Sequence, residues 1–389
     1  MPVAHTYDVV IIGAGITGAA AAYFAASRGL RVAVVERGSI ASGTSSRCEG
    51  NLLVSDKEVG PELELALYSQ DVWRTDLAEH ADVWEYEAKG GIMVAPDEAT
   101  MTQLRALADH QRAMGITVED LSDSAALRER EPYLNPAMVG GAYYPQDSQV
   151  QPLLATHHLL RLARELGVRV MTHTPVVAIE RSGERVTGVR TPHGAISADV
   201  VLNCAGPWSG EVARLAGEAS VPVMPRKGFV LVSQPVPVTI NHKVYSASYV
   251  GDVASGDADL QVSPVVEGTP SGTILLGSSR ERVGFDEGFS AEAVARIARA
   301  GINLFPALAD LALLRTYSGF RPFCPDHLPV IGADSRVPGL WHASGQEGAG
   351  IGLSVGIAKL LAQALCGGAT DLDLAPFRPE RFDEEMQHA

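Results

Sequence analysis

A glycine-rich turn near the N-terminus limits the fold of this chain more than any other feature of its sequence. The apolar run Tyr7 to Ile12 leads directly into the sequence GAGITG at 13–18, and a segment rich in helix-forming residues follows. A buried strand, a tight glycine turn and a helix in this order predict the first half of a βαβ unit. The second apolar run, Arg31 to Glu36, ends in an acidic residue and completes the unit.

The residue types in this turn are those that dinucleotide binding needs. Gly13 makes the turn, Gly15 lets the backbone approach a pyrophosphate, and Gly18 allows the helix to pack closely on the strand. The helix N-terminus carries partial positive charge toward phosphates. Glu36 lies where an acidic residue can hydrogen-bond a ribose and repel a 2′-phosphate. The unit therefore predicts a bound dinucleotide but leaves NAD and FAD as alternatives.

Charge and cysteine usage limit the partners and the compartment. The 389 residues carry a formal net charge of −15, and an acidic surface repels nucleic acid and anionic lipid. The four cysteines are widely spaced and form no CxxC motif, which predicts a reducing compartment and neither an Fe–S centre nor a structural zinc site. The uncharged stretch from Val9 to Ser27 contains three glycines and follows Asp8, so we expect no integral membrane segment. These features together predict a cytoplasmic protein.

Strands typical of a parallel sheet occur at the start of the chain, at Asp199 to Asn203 and at Leu340 to Ala343, whereas prolines and glycines punctuate β-branched runs between Val221 and Gly284. We therefore predict an α/β fold with a discontinuous nucleotide-binding domain and a second domain built on an antiparallel sheet. The predicted boundaries are 1–84, 145–220 and 322–389 for the first domain and 85–144 and 221–321 for the second.

Two further turns favour a flavin over a nicotinamide. Asn203 to Gly206 is the end of a strand followed by small residues, which let the backbone approach a flat ligand. The segment from Gly345 to Gly352 forms another strand–glycine–helix turn, which a nicotinamide-dependent dehydrogenase would leave unexplained.

At this level of detail the chain resembles the FAD-dependent D-amino-acid oxidase, glycine oxidase and sarcosine oxidase family of glutathione-reductase-like flavoproteins. The matching blocks follow the family order over nearly the whole chain: the 13–18 turn with Glu36-Arg37, Ala41 to Arg47, Asn203 to Trp208, Gly319-Phe320-Arg321-Pro322, Pro325-Asp326 with Leu328 to Gly332, and the terminal glycine turn. The sequences of two segments, Ser45 to Asn51 and Gly348 to Leu353, are most similar to those of catalytic subunits of opine and hydroxyproline dehydrogenases and of hydrogen cyanide synthase.

The resemblance implies where FAD binds. The implied cofactor residues are Gly13, Gly15, Ile16, Thr17, Gly18, Glu36, Arg37, Ser42, Gly43, Thr44, Ser45, Ser46, Arg47, Val177, Cys204, Ala205, Gly206, Gly345, Gln346, Glu347, Gly348, Ala349, Gly350 and Ile351. Many relatives have histidine where Gln346 stands, which is a departure from the family pattern. Cys48 is either an attachment point or redox thiol for the flavin or a small buried residue.

The resemblance also implies the substrate contacts. Arg321 of the G-aromatic-R-P motif would pair with a substrate carboxylate, and its planar fork suits that role. Tyr245 and Tyr249 are candidates for phenol contacts to the substrate, with ordinary packing as the alternative. Arg280 is a candidate for a contact near the flavin or for a solvated strand end.

We expect an FAD-dependent oxidoreductase that oxidises the C–N bond of a small amino or imino acid, of the D-amino-acid, N-substituted glycine, hydroxyproline or opine type. Hydride would pass from the α-carbon to flavin N5, and the resulting imine would hydrolyse. Companion subunits would accept the electrons. Two alternatives stay open: a self-sufficient oxidase that makes hydrogen peroxide, and a non-catalytic FAD-dependent assembly subunit.

Overall fold

The structure is a computed structural model, and it describes residues 7–217, 220–237, 240–247, 249, 251 and 255–386. Most of these residues are arranged around two large sheets. A small third sheet is formed by the antiparallel pair β3 (Asn51–Leu52) and β7 (Ser148–Gln149).

The first sheet carries the nucleotide-binding motif. Its strands are β1 (Tyr7–Ile12), β2 (Val32–Val35), β8 (Arg169–Met171), β9 (Ala178–Ser182), β10 (Arg185–Thr191), β11 (Gly194–Asn203), β17 (Val330–Ala333) and β18 (Leu340–Ser344). The order β17-β18-β11-β1-β2-β8 places β1 in parallel pairing with both β2 and β11. Because β11 also pairs in parallel with β18, the three predicted parallel strands meet in one sheet.

The second sheet follows the order β16-β12-β15-β14-β13-β4-β6-β5. Its strands are β4 (Gly91–Ala95), β5 (Glu119–Leu121), β6 (Gly140–Tyr144), β12 (Met224–Ser233), β13 (Lys243–Ser246), β14 (Gln261–Gly268), β15 (Ile274–Arg280) and β16 (Leu313–Phe323). All pairs are antiparallel except β13 with β4. The predicted fold class is confirmed, whereas the predicted domain boundaries stay a prediction.

Helices pack on both sheets. They are α1 (Ile16–Ser27), α2 (Pro61–Arg74), α3 (Glu98–Ala113), α4 (Ser124–Arg130), α5 (Pro152–Glu165), α6 (Ser209–Arg214), α7 (Ala291–Leu304), α8 (Gly350–Leu365) and α9 (Arg381–Met386). Helix α1 contacts α5 and α8, and α8 also contacts α2. The many alanines of α1 are buried in these contacts, since small side chains let the helices approach one another.

Two helices follow glycine-rich turns and begin within them. Helix α1 begins at Ile16 and α8 at Gly350. A Cβ atom on Gly18 would overlap the carbonyl oxygen of Gly13, so only glycine permits this close contact between helix and turn. Gly13 itself has a φ of 111°, which also favours glycine.

Within the described residues, one helical stretch has the length and apolar composition that a membrane span needs. It runs from Glu347 to Leu365 and includes α8. More than half of its most apolar window, 56%, is buried inside the protein, as in the core helix of a globular domain. The stretch from Val9 to Ser27 forms β1, the glycine turn and α1.

Candidate functional site

A cavity of about 650 Å³ lies at the carboxyl ends of β1, β2 and β11, between the two sheets. This is the edge at which ligands bind in open α/β sheets. Its wall includes residues of the turn after β1, the loop at 42–51, the small-residue turn after β11, the end of β16 and the glycine turn before α8.

The turn after β1 forms a shallow cradle at one end of the cavity. A Cβ atom on Gly13 would lie 2.5 Å from the carbonyl oxygen of Cys204, and one on Gly15 would lie 3.1 Å from Ser45 Oγ. The Ile16 amide donates to Ser45 Oγ over 2.9 Å, which ties the start of α1 to the loop at 42–51. The cradle therefore has the backbone approach and the helix N-terminus that a pyrophosphate needs.

Glu36 connects the end of β2 to this turn. Its Oε2 accepts a hydrogen bond from the Ala14 amide (2.9 Å), and its Oε1 accepts one from the Gly38 amide (2.7 Å). The carboxylate also lies on the cavity wall. It therefore fixes the shape of the turn in addition to offering acceptors to a ribose.

Arg37 and Trp208 form the side of the cavity next to Glu36. The Arg37 guanidinium carbon lies 3.8 Å from the centre of the Trp208 ring, and that ring stacks on Phe285 at 4.9 Å. The cation–π contact holds both wall residues in place.

The loop at 42–51 is anchored to the second sheet. Thr44 Oγ1 donates to the Phe320 carbonyl (2.5 Å), and Arg47 Nη1 donates to the Ser318 carbonyl (2.8 Å). Cys48 Sγ lies 3.6 Å from the Ser45 carbonyl, and burial raises the pKa of the thiol to about 12. The raised pKa favours the interpretation of Cys48 as a small side chain over that of a redox thiol.

Arg321 extends from β16 to the wall of the cavity. Its Nη1 donates to the Ser279 carbonyl over 2.8 Å. A Cβ atom on Gly228 would overlap Arg321 Nη1, so a glycine at this position of β12 leaves room for the guanidinium. Burial and the neighbouring Arg280 lower the pKa of Arg321 below its usual value, although Glu49 and Glu347 oppose that shift.

Tyr249 faces the same point as Arg321. A Cβ atom on Gly348 would lie 3.9 Å from both Arg321 Nε and Tyr249 Oη. These two donors therefore meet over the terminal glycine turn. Tyr245, by contrast, is fully buried away from the cavity wall, and its hydroxyl hydrogen-bonds Ser55 and Asp147.

Glu49 is a site residue that the sequence analysis missed. It is 8% exposed and lies on the cavity wall. Its Oε1 has no hydrogen-bond partner among the described residues, and its Oε2 accepts from Asn51 Nδ2 at 3.4 Å. The sequence does contain a signal for Glu49, because it is a charged residue among the small residues of the loop at 42–51. A charged side chain there must face either a ligand or solvent.

The terminal turn brings Gln346 and Glu347 to the cavity. Gln346 Nε2 is buried without a hydrogen-bond partner among the described residues. Glu347 accepts from His327 Nδ1 (2.9 Å) and from Arg226 Nη1 (3.4 Å), and its carboxylate raises the pKa of His327. Arg226, which the sequence analysis did not single out, is buried and does not line the cavity.

Most residues implied for the cofactor line one cavity. On its wall lie Gly13, Gly15, Ile16, Thr17, Glu36, Arg37, Ser42, Gly43, Thr44, Ser45, Arg47, Cys204, Ala205, Gly206, Gln346, Glu347, Gly348, Gly350 and Ile351. Behind it, or off it, lie Gly18, Ser46, Val177, Gly345 and Ala349. The Val177 amide donates to the Arg190 carbonyl, and its neighbour Val176 lies on the wall instead.

The residues present fit FAD. A glycine cradle with a helix N-terminus suits the pyrophosphate, Glu36 suits a ribose, and the terminal glycine turn leaves an open face opposite Arg321. Among the described parts of the chain, no group of three or more His, Cys, Asp or Glu side chains is placed to hold a metal ion.

Comparison with known proteins agrees with this geometry. The model of the DAO family, described as FAD dependent oxidoreductase, matches residues 8–364. Hydrogen cyanide synthase subunit HcnC of Pseudomonas aeruginosa is 28% identical, over 98% of this chain and 97% of its own. Glycine oxidase of Geobacillus kaustophilus is 30% identical, over 96% of each chain. A crystal structure of glycine oxidase from the same organism aligns with a TM-score of 0.87 at 27% identity, over 97% of this chain and 99% of the other.

Proposed function

Because the chain belongs to the DAO family of FAD-dependent oxidoreductases, we propose that it oxidises the C–N bond of a small amino or imino acid. One observation carries this proposal. Arg321 and Glu49 both lie on the cavity wall, and neither forms an ion pair with any residue that the structure describes. Two opposite charges in one cavity match a substrate that has a carboxylate and an amino group.

Arg321 and Tyr249 bind the carboxylate in this proposal. The guanidinium offers two parallel donors to the two oxygens, and the Tyr249 hydroxyl donates to one of them. Both donors face Gly348, so the carboxylate is held over the terminal glycine turn. FAD, when bound, would supply the hydride acceptor.

Glu49 receives the substrate nitrogen. Its free Oε1 accepts a hydrogen bond from the amine, and it takes a proton when the substrate arrives as an ammonium ion. The α-carbon is bonded to both the carboxylate and the nitrogen, so binding these two groups fixes the position of the α-carbon. The reaction then needs no acid or base other than Glu49.

Anaerobic bleaching of the FAD absorbance tests this proposal. The panel is glycine, sarcosine, D-proline, D-hydroxyproline, other D-amino acids and opines. We expect at least one compound to bleach the FAD of the wild type. Arg321→Met should reduce kcat/KM roughly 100-fold or more while FAD stays bound, because the buried substrate carboxylate loses its partner. Arg321→Lys recovers part of the loss, since an ammonium lacks the fork.

The matched control is Arg315→Met, which removes an exposed arginine from the same strand. It should leave the kinetics unchanged. If no member of the panel bleaches the flavin, the proposed reaction is wrong and a non-catalytic role for the bound FAD is favoured. If Arg321→Met reacts like the wild type, the carboxylate binds elsewhere.

We further propose that a partner protein accepts the electrons. One feature supports this: a similar protein is named as a subunit of hydrogen cyanide synthase. The family resemblance described above also implies that Gln346 replaces a histidine. The alternative is a self-sufficient oxidase, as the similarity to glycine oxidase suggests. A paired assay on one preparation compares peroxide formation with dye reduction, and peroxide formed as fast as reduced dye contradicts the partner proposal.

A cytoplasmic location belongs to the same proposal. All four cysteines are free thiols, which suits a reducing compartment. Fractionation of the producing cells tests it, and recovery of the protein outside the cytoplasm would contradict it.

A further inference from the structure

A loop of the second sheet reaches the opening of the cavity. Residues 283–289, which we call the strap, lie between β15 and α7. Glu287 of the strap is exposed to solvent and lies on the cavity wall, as do Arg37 and Glu211, which follow β2 and β11. Residues that are both exposed and on the wall mark the opening of a cavity. The strap therefore forms one side of this opening.

Aromatic contacts join the strap to the opposite side of the opening. The Phe285 ring stacks on Trp208, with 4.9 Å between the ring centres and 4° between the ring planes. Phe285 also meets Phe320 of β16 edge-on at 5.3 Å. The Arg37 guanidinium carbon in turn lies 3.8 Å from the centre of the Trp208 ring. A continuous row of contacts thus runs from Arg37, next to Glu36, to the strap.

Phe285 acts through Trp208 and not on a ligand directly. Trp208 lies on the wall of the cavity, whereas Phe285 lies behind it and does not line the cavity. A ligand in the cavity can therefore reach the indole but not the Phe285 ring. Removal of the Phe285 ring changes how the strap is held and removes no ligand contact.

Both ends of the strap are fixed to the second sheet. Glu281, shortly before the strap, exchanges backbone hydrogen bonds with Lys227 of β12 (2.8 and 3.0 Å). At the other end, Lys227 Nζ donates to the Gly288 carbonyl over 2.6 Å, and Ser290 caps α7. The Lys227 side chain is 2% exposed, so one buried residue fixes both ends.

Between these fixed points the strap is exposed and contains two glycines. Gly284 has a φ of 64°, a conformation that favours glycine, and Asp286, Glu287 and Gly288 are exposed. Exposed segments with few buried contacts open at a low free-energy cost, and hinge residues absorb the change in φ and ψ. The stack of Phe285 on Trp208 must break when the strap moves away from the opening.

We propose that the strap is a gate for FAD and that the stack of Phe285 on Trp208 is the latch of this gate. The stack lies at the end of the cavity where Glu36 and the glycine cradle fit the ribose and the pyrophosphate. In its closed position the strap narrows this opening and slows both the entry and the release of FAD. The inference goes beyond the proposed reaction, because it concerns the loading of the cofactor.

The rates of FAD binding and release test the proposal without any substrate. The association rate constant comes from the change in flavin fluorescence on mixing FAD with the apoprotein. The dissociation rate constant comes from the transfer of FAD from the loaded protein to an excess of another apoflavoprotein. Phe285→Ala removes the stack, so we expect both rate constants to rise roughly 3- to 10-fold. The FAD dissociation constant should change by no more than about twofold, because the latch closes the empty and the loaded protein alike.

Phe289→Ala is the matched control. Phe289 belongs to the strap and is exposed, but it meets Phe229 of the second sheet edge-on and not Trp208. Its removal should leave both rate constants unchanged. Phe285→Tyr keeps the stack and should behave like the wild type. Phe285→Leu keeps the apolar bulk without a ring, and it replaces the alanine variant if circular dichroism shows that the latter is unfolded.

The outcomes separate a gate from a supporting contact. A rise in only one of the two rate constants would show that Phe285 shapes the cavity wall, and it would overturn the gate. Unchanged rate constants in Phe285→Ala, or an equal acceleration in Phe289→Ala, would overturn the latch. Bleaching of the flavin by substrate is a separate measurement, so failure of the proposed reaction does not affect this test.

Discussion

The guanidinium carbon of Arg280 lies 4.9 Å from the centre of the Tyr249 ring, within the range of a cation–π contact. The ring thus presents one face to a buried cation while its hydroxyl points toward Gly348. The two functions of this tyrosine can be separated, because phenylalanine keeps the ring and removes only the hydroxyl.

We predict that Tyr249→Phe lowers kcat/KM for carboxylate substrates about tenfold, since one hydrogen bond to a charged group is lost. Tyr249→Leu should lose more, because Arg280 also loses the ring. Tyr245→Phe is the matched control: its hydroxyl lies in the buried network with Ser55 and Asp147, so it should lower the free energy of unfolding and leave the kinetics unchanged. Equal kinetic losses in the phenylalanine variants would contradict this assignment.

The glycine cradle predicts the behaviour of cofactor variants. Gly15→Val places a branched side chain against Ser45 Oγ at the pyrophosphate position, so we expect a folded but colourless protein. Circular dichroism checks the fold, and the ratio of flavin to protein absorbance measures retained FAD. A folded Gly15→Val protein with a full complement of FAD would place the pyrophosphate elsewhere.

Glu36→Ala should weaken FAD binding less severely. The substitution removes the acceptor for a ribose, worth about 1.5–3 kcal/mol, and releases the Ala14 and Gly38 amides. We expect the FAD dissociation constant to rise roughly 10- to 100-fold, measured by fluorescence during reconstitution of the apoprotein. An unchanged dissociation constant would show that Glu36 holds the shape of the turn and does not bind the ribose.

Glu49→Gln tests the nitrogen-binding role. The substitution keeps the shape of the side chain and removes its charge, so we expect KM for amine substrates to rise by roughly 10-fold or more. Binding of carboxylates without an amino group, such as acetate and glycolate, should change by no more than about twofold. If both kinds of ligand are weakened equally, Glu49 supports the cavity and does not contact the nitrogen.

Local sequence was sufficient to predict most of the residues that line the glycine-rich side of the cavity. The turn at 13–18, the end of β11 and the glycine turn before α8 are each continuous segments, and their conformations depend on glycines that the sequence displays. Parallel pairing then brings the ends of β1, β2 and β11 to one edge without further information.

The substrate half depended on contacts that the sequence does not display. Arg226 and Arg321 are far apart in the chain, and only the register of β12 with β16 opposes them. Tyr245 and Tyr249 are near neighbours in the sequence, yet the first belongs to β13 and faces the core while the second follows the strand and reaches the cavity. Strand register and side-chain direction are set by tertiary packing, so composition could not separate them.

The buried carboxyl of Asp147 makes stability depend on pH in a direction opposite to that of ordinary carboxylates. Burial raises its pKa to about 6, although it accepts hydrogen bonds from Ser55 and the Val54 amide. Between the pKa of the unfolded chain, near 4, and about 6, the folded protein binds the extra proton. The contribution of Asp147 to stability is therefore greatest in acid and falls as pH rises through this window.

We predict that Asp147→Asn removes this loss. Relative to the wild type, the variant should gain up to about 2–3 kcal/mol of unfolding free energy between pH 4 and pH 7, because a neutral amide has no proton to lose. Guanidinium unfolding of the FAD-loaded proteins at several pH values measures the difference. The control Asp97→Asn alters an exposed carboxyl whose pKa is lowered by the Thr100 amide, so the contribution of Asp97 to stability changes below pH 4 and its difference from the wild type should stay nearly constant between pH 4 and pH 7. A difference between Asp147→Asn and the wild type that stays constant over this range would show that Asp147 titrates normally in the folded protein.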